Sequence, residues 1–103
     1  MQKTTNASWK PVVHKAALNE LHDIPIENAK NLREIALEAS KLKKPSDHSD
    51  IRLLRGDSMF RLRSGKYRAL ADLEPPELRI LLVDHREYIY TRRDEARYRQ
   101  TDH

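Results

Sequence analysis

Residues 59–73, MFRLRSGKYRALADL, decide how the rest of the chain is arranged. Phe60-Arg61-Leu62-Arg63 alternates apolar and charged side chains, the period of two that marks a half-buried strand. Ser64-Gly65 then separates it from a second such run, because glycine takes the positive φ a tight turn needs. With Ser-Gly as the turn, Arg63 faces Lys66, Leu62 faces Tyr67, Arg61 faces Arg68 and Phe60 faces Ala69. Arg61, Arg63, Lys66 and Arg68 share one face; Phe60, Leu62, Tyr67, Ala69 and Ala71 share the other. Like charges opposed across a ladder are destabilising by up to roughly 1 kcal/mol per pair. The basic face is therefore either a solvated surface or half of a site for an anion.

Downstream, Glu74-Pro75-Pro76-Glu77 has loop composition. A short connection there sets Leu73 against Leu78 and Asp72 against Arg79, an opposite-charge pair that supports the register. Leu78 to Asp84, LRILLVD, is almost continuously apolar and predicts a central strand covered on both faces for part of its length. Carried to its end, this register places His85 on Arg68's face and points Arg86 away, unless a bulge or strand end near Asp84 redirects it. His85 to Arg92 leaves or continues the sheet, and residues 93–103 are a charged tail, a short helix or disordered.

Upstream, residues 1–7 are polar and predicted to fray. Ser8 to Val13 is a candidate first strand with Trp9 as its anchor, and Pro11 places it at a sheet edge or an irregularity. His14 to Asp23 shifts to helical spacing, with Ala17, Leu18 and Leu21 on one side, and Ile24-Pro25 breaks it. From Ile26 to Lys43, Ala29, Leu32, Ile35, Ala36, Ala39 and Leu42 form a single apolar stripe. Glu27 in the first turn and Lys41, Lys43 and Lys44 in the last suit the helix dipole, and Pro45 stops the helix. After a polar loop, Ile51 to Arg55 is a short strand or an ordered approach to Gly56-Asp57. The expected fold is α+β: an antiparallel sheet of about four strands with an N-terminal helical hairpin on one face, in the order β-α-α-β-β-β. One domain spans residues 1–103, with its core at about 8–92 and a charged tail over 93–103.

Composition narrows the function. The chain has no cysteine, which excludes disulfides and thiolate metal sites. No apolar run is long enough to span a bilayer, and MQKTTNAS lacks an apolar signal core, so a cytoplasmic location is expected. The five histidines show no metal-ligand spacing, and two glycines cannot build a phosphate-binding loop, so no cofactor is expected. A net charge of +4 favours a polyanionic or acidic partner. The basic residues also change type along the chain. Residues 1–50 hold seven lysines and one arginine, whereas residues 51–103 hold eleven arginines and one lysine. Arginine's planar fork grips phosphate or carboxylate through paired hydrogen bonds, so the second half reads as a binding surface.

The element order, the hairpin FRLRSGKYRAL and the downstream LLVDHREYIY together resemble the RelE/ParE toxin superfamily of toxin–antitoxin systems, over about residues 8–92. The opening WKPVVHKAALNEL is similar to that family's first strand and helix. For RelE-type members the resemblance implies ribosome-dependent mRNA cleavage, in which a 2′-hydroxyl attacks the adjacent phosphate and leaves a cyclic phosphate end. It implies that Arg61 and Arg63, with Lys66, form the RNA- and phosphate-binding strand surface. It further implies that Arg68 and Arg86 contact the scissile phosphate, with His85 beside Arg86, and that Tyr90 serves stacking or proton transfer. Arginine forks suit a phosphorane-like transition state, but arginine stays charged and makes a poor base. His85, and after it Tyr90, are the motif-aligned groups for moving protons near neutral pH. The implied partners are a cognate antitoxin carrying an acidic, amphipathic segment, together with the ribosome and mRNA; no membrane is involved. Two alternatives stay open: a ParE-like gyrase inhibitor that cleaves nothing, and a non-catalytic nucleic-acid-binding module.

Overall fold

The computed structural model describes residues 9–101, with β1 (Lys10–Val13), α1 (Lys15–His22), α2 (Ile26–Ser40), β2 (Ile51–Leu53), β3 (Phe60–Ser64), β4 (Tyr67–Glu74), β5 (Glu77–His85) and α3 (Arg93–Thr101). Ser8 of the expected first strand, residues 1–7, for which fraying is expected, and the last two residues of the charged tail lie outside the described residues. The α+β class and the helical hairpin are as expected, but the sheet has five strands, in the order β1-β5-β4-β3-β2. It is also mixed rather than antiparallel, because β1 runs parallel to β5. The fifth strand is β2, Ile51–Leu53, which pairs antiparallel with β3. Lys10 N and His14 N donate to the Pro76 and Ile80 carbonyls, so the backbone groups of Pro11 and Val13 turn outward at the sheet edge. Proline therefore costs the ladder no donor.

The central hairpin keeps its two faces but not its expected register. Ser64 pairs with Tyr67, Arg63 with Arg68 and Arg61 with Leu70, so Gly65 and Lys66 form the turn. Gly65 takes the positive φ of 59° at the first turn position rather than the second. Asn28 in the first turn of α2 fixes this choice, donating to the Ser64 carbonyl at 3.0 Å and to its hydroxyl at 3.3 Å. A shift of two residues preserves alternation, so Arg61, Arg63 and Arg68 still share a face, while Lys66 leaves it for the turn.

On the opposite face the hairpin α1–α2 buries Leu21, Leu32, Ile35, Ala36 and Ala39 against Leu62, Ala69, Ala71, Ile80 and Val83. Helix α2 ends at Ser40, three residues before the expected Lys43, so its last turn holds no basic residue. Trp9 pins that end, its backbone N–H donating to the Ser40 carbonyl and its indole to that of Lys43. Between β4 and β5, Asp72 faces Arg79 and Leu73 faces Leu78, the expected register.

A β-bulge then intervenes. Leu70 pairs with Leu82 but Ala71 with Ile80, which leaves Leu81 as the extra residue. Every later residue of β5 changes sides.

The C-terminal segment, left open between tail and helix, folds onto the arginine-bearing side of the sheet. After β5 the chain makes a 3-10 turn over Ile89–Arg92 and enters α3. Ile89 and Ala96 close a second small core over Leu54, Met59, Leu70, Leu81 and Leu82. The sheet is thus covered on both faces. Because β1 stops opposite Ile80, the next edge groups of β5 lack a strand partner, and side chains replace it. Glu20 of α1 accepts from Val83 N at 3.0 Å, and Arg99 of α3 donates to the Leu81 carbonyl at 2.9 Å. Arg99 and Glu20 also pair directly at 2.9 Å, joining the two helices across the sheet edge.

Candidate functional site

Arg61, Arg63 and Arg68 occupy one face of the β3–β4 hairpin, directly or diagonally adjacent, with Arg52 of β2 opposite Arg61. Burial holds Arg61 below the ordinary arginine range; Tyr90 opposes that shift, while Arg63, Arg68 and Arg52 add to it. The cluster repels itself, and a bound anion would relieve it.

Arg68 is the most organised member. Its Nη1 donates to the Gly65 carbonyl at 2.7 Å and to the Tyr67 carbonyl at 2.9 Å. Among the described residues no hydrogen bond engages its Nε or Nη2, the side-on edge of the guanidinium that suits a phosphate. Arg63 is half-exposed and makes a loose 3.4 Å contact with Asp50. A cleft of about 570 Å³ runs from the hairpin tip to α2, lined by Asn31, Glu34, Glu38, Asp50, Arg63 and Arg68.

The bulge decides where the β5 residues fall. Asp84, not His85, is the cross-strand neighbour of Arg68, and His85 pairs with Tyr67 on the other side. The expectation that His85 shares Arg68's face is therefore corrected, since one inserted residue inverts the alternation. His85 packs edge-on to Tyr67 with ring centroids 5.4 Å apart, and lies 6.1 Å from Tyr88. Its Nδ1 accepts from the Glu87 backbone N–H at 3.1 Å, which places the proton of the neutral ring on Nε2.

Arg86 follows the strand end, is exposed, and donates its backbone N–H to the Lys66 carbonyl at 2.7 Å. That bond continues the β4–β5 register by one pair and fastens Arg86 to the same turn that Arg68 caps. With the bulge, the register runs on so that Arg86 follows Asp84 on the alternation of β5 and lies opposite Lys66. Tyr90, 40% exposed in the 3-10 turn, lies within electrostatic reach of Arg61. Lys66 is exposed in the turn, off the arginine row.

Three participants escape a reading of motifs alone. Arg52 enters through its pairing with Arg61, a signal already present in the alternation of IRLLR. Asp84 comes to lie opposite Arg68 only because of the bulge. Arg92 is half-buried and bonds three carboxylates: Asp84 at 2.9 Å, Glu20 at 2.8 Å and Glu95 at 2.8 Å. The Glu95 hydrogen bonds, with those to Asp84 and Glu20, raise the Arg92 pKa well above the ordinary arginine value against the opposing effect of burial.

A five-stranded mixed sheet carries the helical hairpin on one face and the arginine row on the other, an α+β architecture. Among solved structures, a variant of the Escherichia coli toxin RelE in its free state superposes with a TM-score of 0.71 at 20% identity, covering 89% of this chain and 97% of that one. The RelB–RelE antitoxin–toxin complex from Methanococcus jannaschii gives 0.63 at 23% identity, covering 77% and 94%. The RelBE2 toxin–antitoxin complex from Mycobacterium tuberculosis gives 0.62 at 24%, covering 81% and 97%. In sequence, the chain is 35% identical over 57 residues to a Methanocaldococcus jannaschii protein assigned as toxin RelE1. That match spans 54% of this chain and 63% of the relative. No family model matches the chain. The likeness to RelE proteins thus holds in fold, and over part of the chain in sequence.

Proposed function

We propose that the protein is the toxin of a toxin–antitoxin pair and that it cleaves mRNA on the ribosome. The observation that supports this best is the open edge of Arg68, anchored through Nη1 and flanked by Arg61 and Arg63. In this reading the phosphate adjoining the reactive 2′-hydroxyl lies on Arg68, with Arg61 neutralising charge from the side and Arg86 from the turn. Those groups stabilise the pentacovalent transition state by charge already in place. Tyr90, on the Arg61 side, is better placed than His85 to exchange a proton with the reacting oxygens. The 2′-oxygen forms the new P–O bond as the 5′-oxygen leaves, giving a 2′,3′-cyclic phosphate and a 5′-hydroxyl, with one proton taken from the first and one given to the second.

A RelB-type partner accompanies RelE in the complexes that share this fold. The corresponding partner here is an antitoxin with an acidic, amphipathic segment matched to the arginine face. The test is inducible expression with mapping of mRNA ends. Cuts within ribosomal decoding sites, abolished in R68A and R86A, support the assignment. Growth arrest undiminished in both variants overturns it, and stalled gyrase–DNA complexes would point to the gyrase alternative.

A further inference from the structure

Arg68 and Asp84 are direct cross-strand neighbours on the same face of the sheet. Opposed residues of an antiparallel pair place their Cβ atoms about 4.5–5.5 Å apart, well within reach of an arginine–carboxylate bridge. Such a bridge would fill the edge of Arg68 left open for phosphate, yet the two side chains do not pair. Asp84 is committed elsewhere: one oxygen accepts from the His85 backbone N–H at 2.7 Å, the other from Arg92 Nη1 at 2.9 Å. Arg92 is held in turn by Glu20 at 2.8 Å and Glu95 at 2.8 Å. Arg92 thus neutralises three carboxylates, and one of them, Asp84, is the residue directly opposite Arg68 on β5.

We propose that Arg92 is a positioning residue for Arg68, sequestering Asp84 so that the Arg68 fork remains available to a phosphate. The inference rests on the reading of Arg68 as a phosphate ligand. Without Arg92, Asp84 turns to Arg68 and competes with the RNA. Neutralising Asp84 as well removes the competitor and restores the grip. A packing defect at position 92 would not be repaired by that second change.

The test measures binding of a labelled 12-nucleotide single-stranded RNA at fixed salt to the full chain and its R68A, R92Q, D84N and R92Q/D84N variants. R92Q is expected to weaken binding by about tenfold, the scale of one charge-assisted hydrogen bond. R92Q/D84N is expected to return to within about threefold of the unaltered chain. D84N alone is expected to leave binding within about twofold, because Arg92 already holds Asp84. Undiminished binding by R92Q, or a weakening that D84N does not repair, overturns the proposal. A several-fold gain in D84N alone also overturns it, and this arm stands even if R92Q fails to fold. Should the unaltered chain and R68A bind equally, the phosphate reading of Arg68 fails instead. The crystal structure of R92Q then decides the positioning role on its own: Arg68 moved onto Asp84 supports it, and Arg68 still on the Gly65 and Tyr67 carbonyls overturns it.

Discussion

Asp72 and Arg79 face each other across β4 and β5 with both side chains buried, joined through Arg79 Nε at 2.8 Å and Nη2 at 2.5 Å. The hydrogen bond that Arg79 donates to Asp72 raises the Arg79 pKa above the ordinary arginine value against the effect of burial. The pair also reaches α3: Gln100 donates to Asp72 at 3.1 Å, and its carbonyl accepts from Arg79 at 3.2 Å. Removing one partner leaves a buried charge uncompensated. D72A or R79A is expected to cost about 3–5 kcal/mol in urea unfolding, and the apolar pair D72L/R79M distinctly less.

A second prediction concerns the hairpin tip. Gly65 has φ of 59°, and a Cβ there would lie 3.2 Å from Asn28 Nδ2, the atom that fixes the Ser64 register. G65A is expected to lose about 1–2 kcal/mol, from left-handed backbone strain and the displaced amide. N28A tests the amide separately, at about 1 kcal/mol. Thermal unfolding reads both.

Much of this architecture is legible in the residues themselves. A short Pro-Pro connection sets Asp72 against Arg79, a register that the opposite charges of the pair support. Hairpin alternation places Arg61, Arg63 and Arg68 together whether the turn is Ser-Gly or Gly-Lys, since those choices differ by two residues. The bulge is another matter. Ile80, Leu81, Leu82 and Val83 are all buried, so an extra residue among them leaves the apolar pattern unbroken, and that hidden insertion moves His85 away from Arg68. Helix α3 is hidden for the opposite reason. Its RDEARYRQT is almost wholly polar and docks through ion pairs with Glu20 and Asp57 that local sequence does not announce.

The pairing of Glu95 with Arg92 and Arg99 makes the α3 segment sensitive to acid. The Arg92 hydrogen bond holds the Glu95 carboxyl below its ordinary value of 4.5, against partial burial, with Arg99 adding to the effect. A carboxylate depressed in the folded state adds stability in full above 4.5 and loses it as pH falls through the lowered folded value. Urea midpoints measured from about pH 6 to pH 3 are expected to fall more steeply for the unaltered chain than for E95Q.

The arginine row yields a separable outcome. Arg61 is partly desolvated among like charges, so R61M is expected to leave stability unchanged or slightly raised while weakening RNA binding. Every phosphate that a variant no longer neutralises on a single strand lowers the slope of log affinity against log salt by about 0.7. Salt titrations of R61M and R63A check this, with unfolding midpoints as the control.

His85 supplies the sharpest contrast on the catalytic side. Its ring rests against Tyr67, across the sheet from Arg68. On the proposed function, H85Q is therefore expected to keep ribosome-dependent cleavage within about tenfold, whereas R68A falls by about a hundredfold or more, the scale of removing one group that stabilises the transition state. Single-turnover cleavage on programmed ribosomes distinguishes the two.

Pro11 bears on how copies of this chain behave in a crowd. Sheet edges recruit neighbouring chains through rows of unused donors and acceptors, and a parallel or antiparallel newcomer needs them in alternation. At the β1 border the outward row offers a proline nitrogen where the first donor should stand, and the opposite border, β2, is only three residues long with Arg52 at its centre. Both margins are therefore poor templates for a further strand, and edge-to-edge pairing of copies is disfavoured at either side of the described sheet.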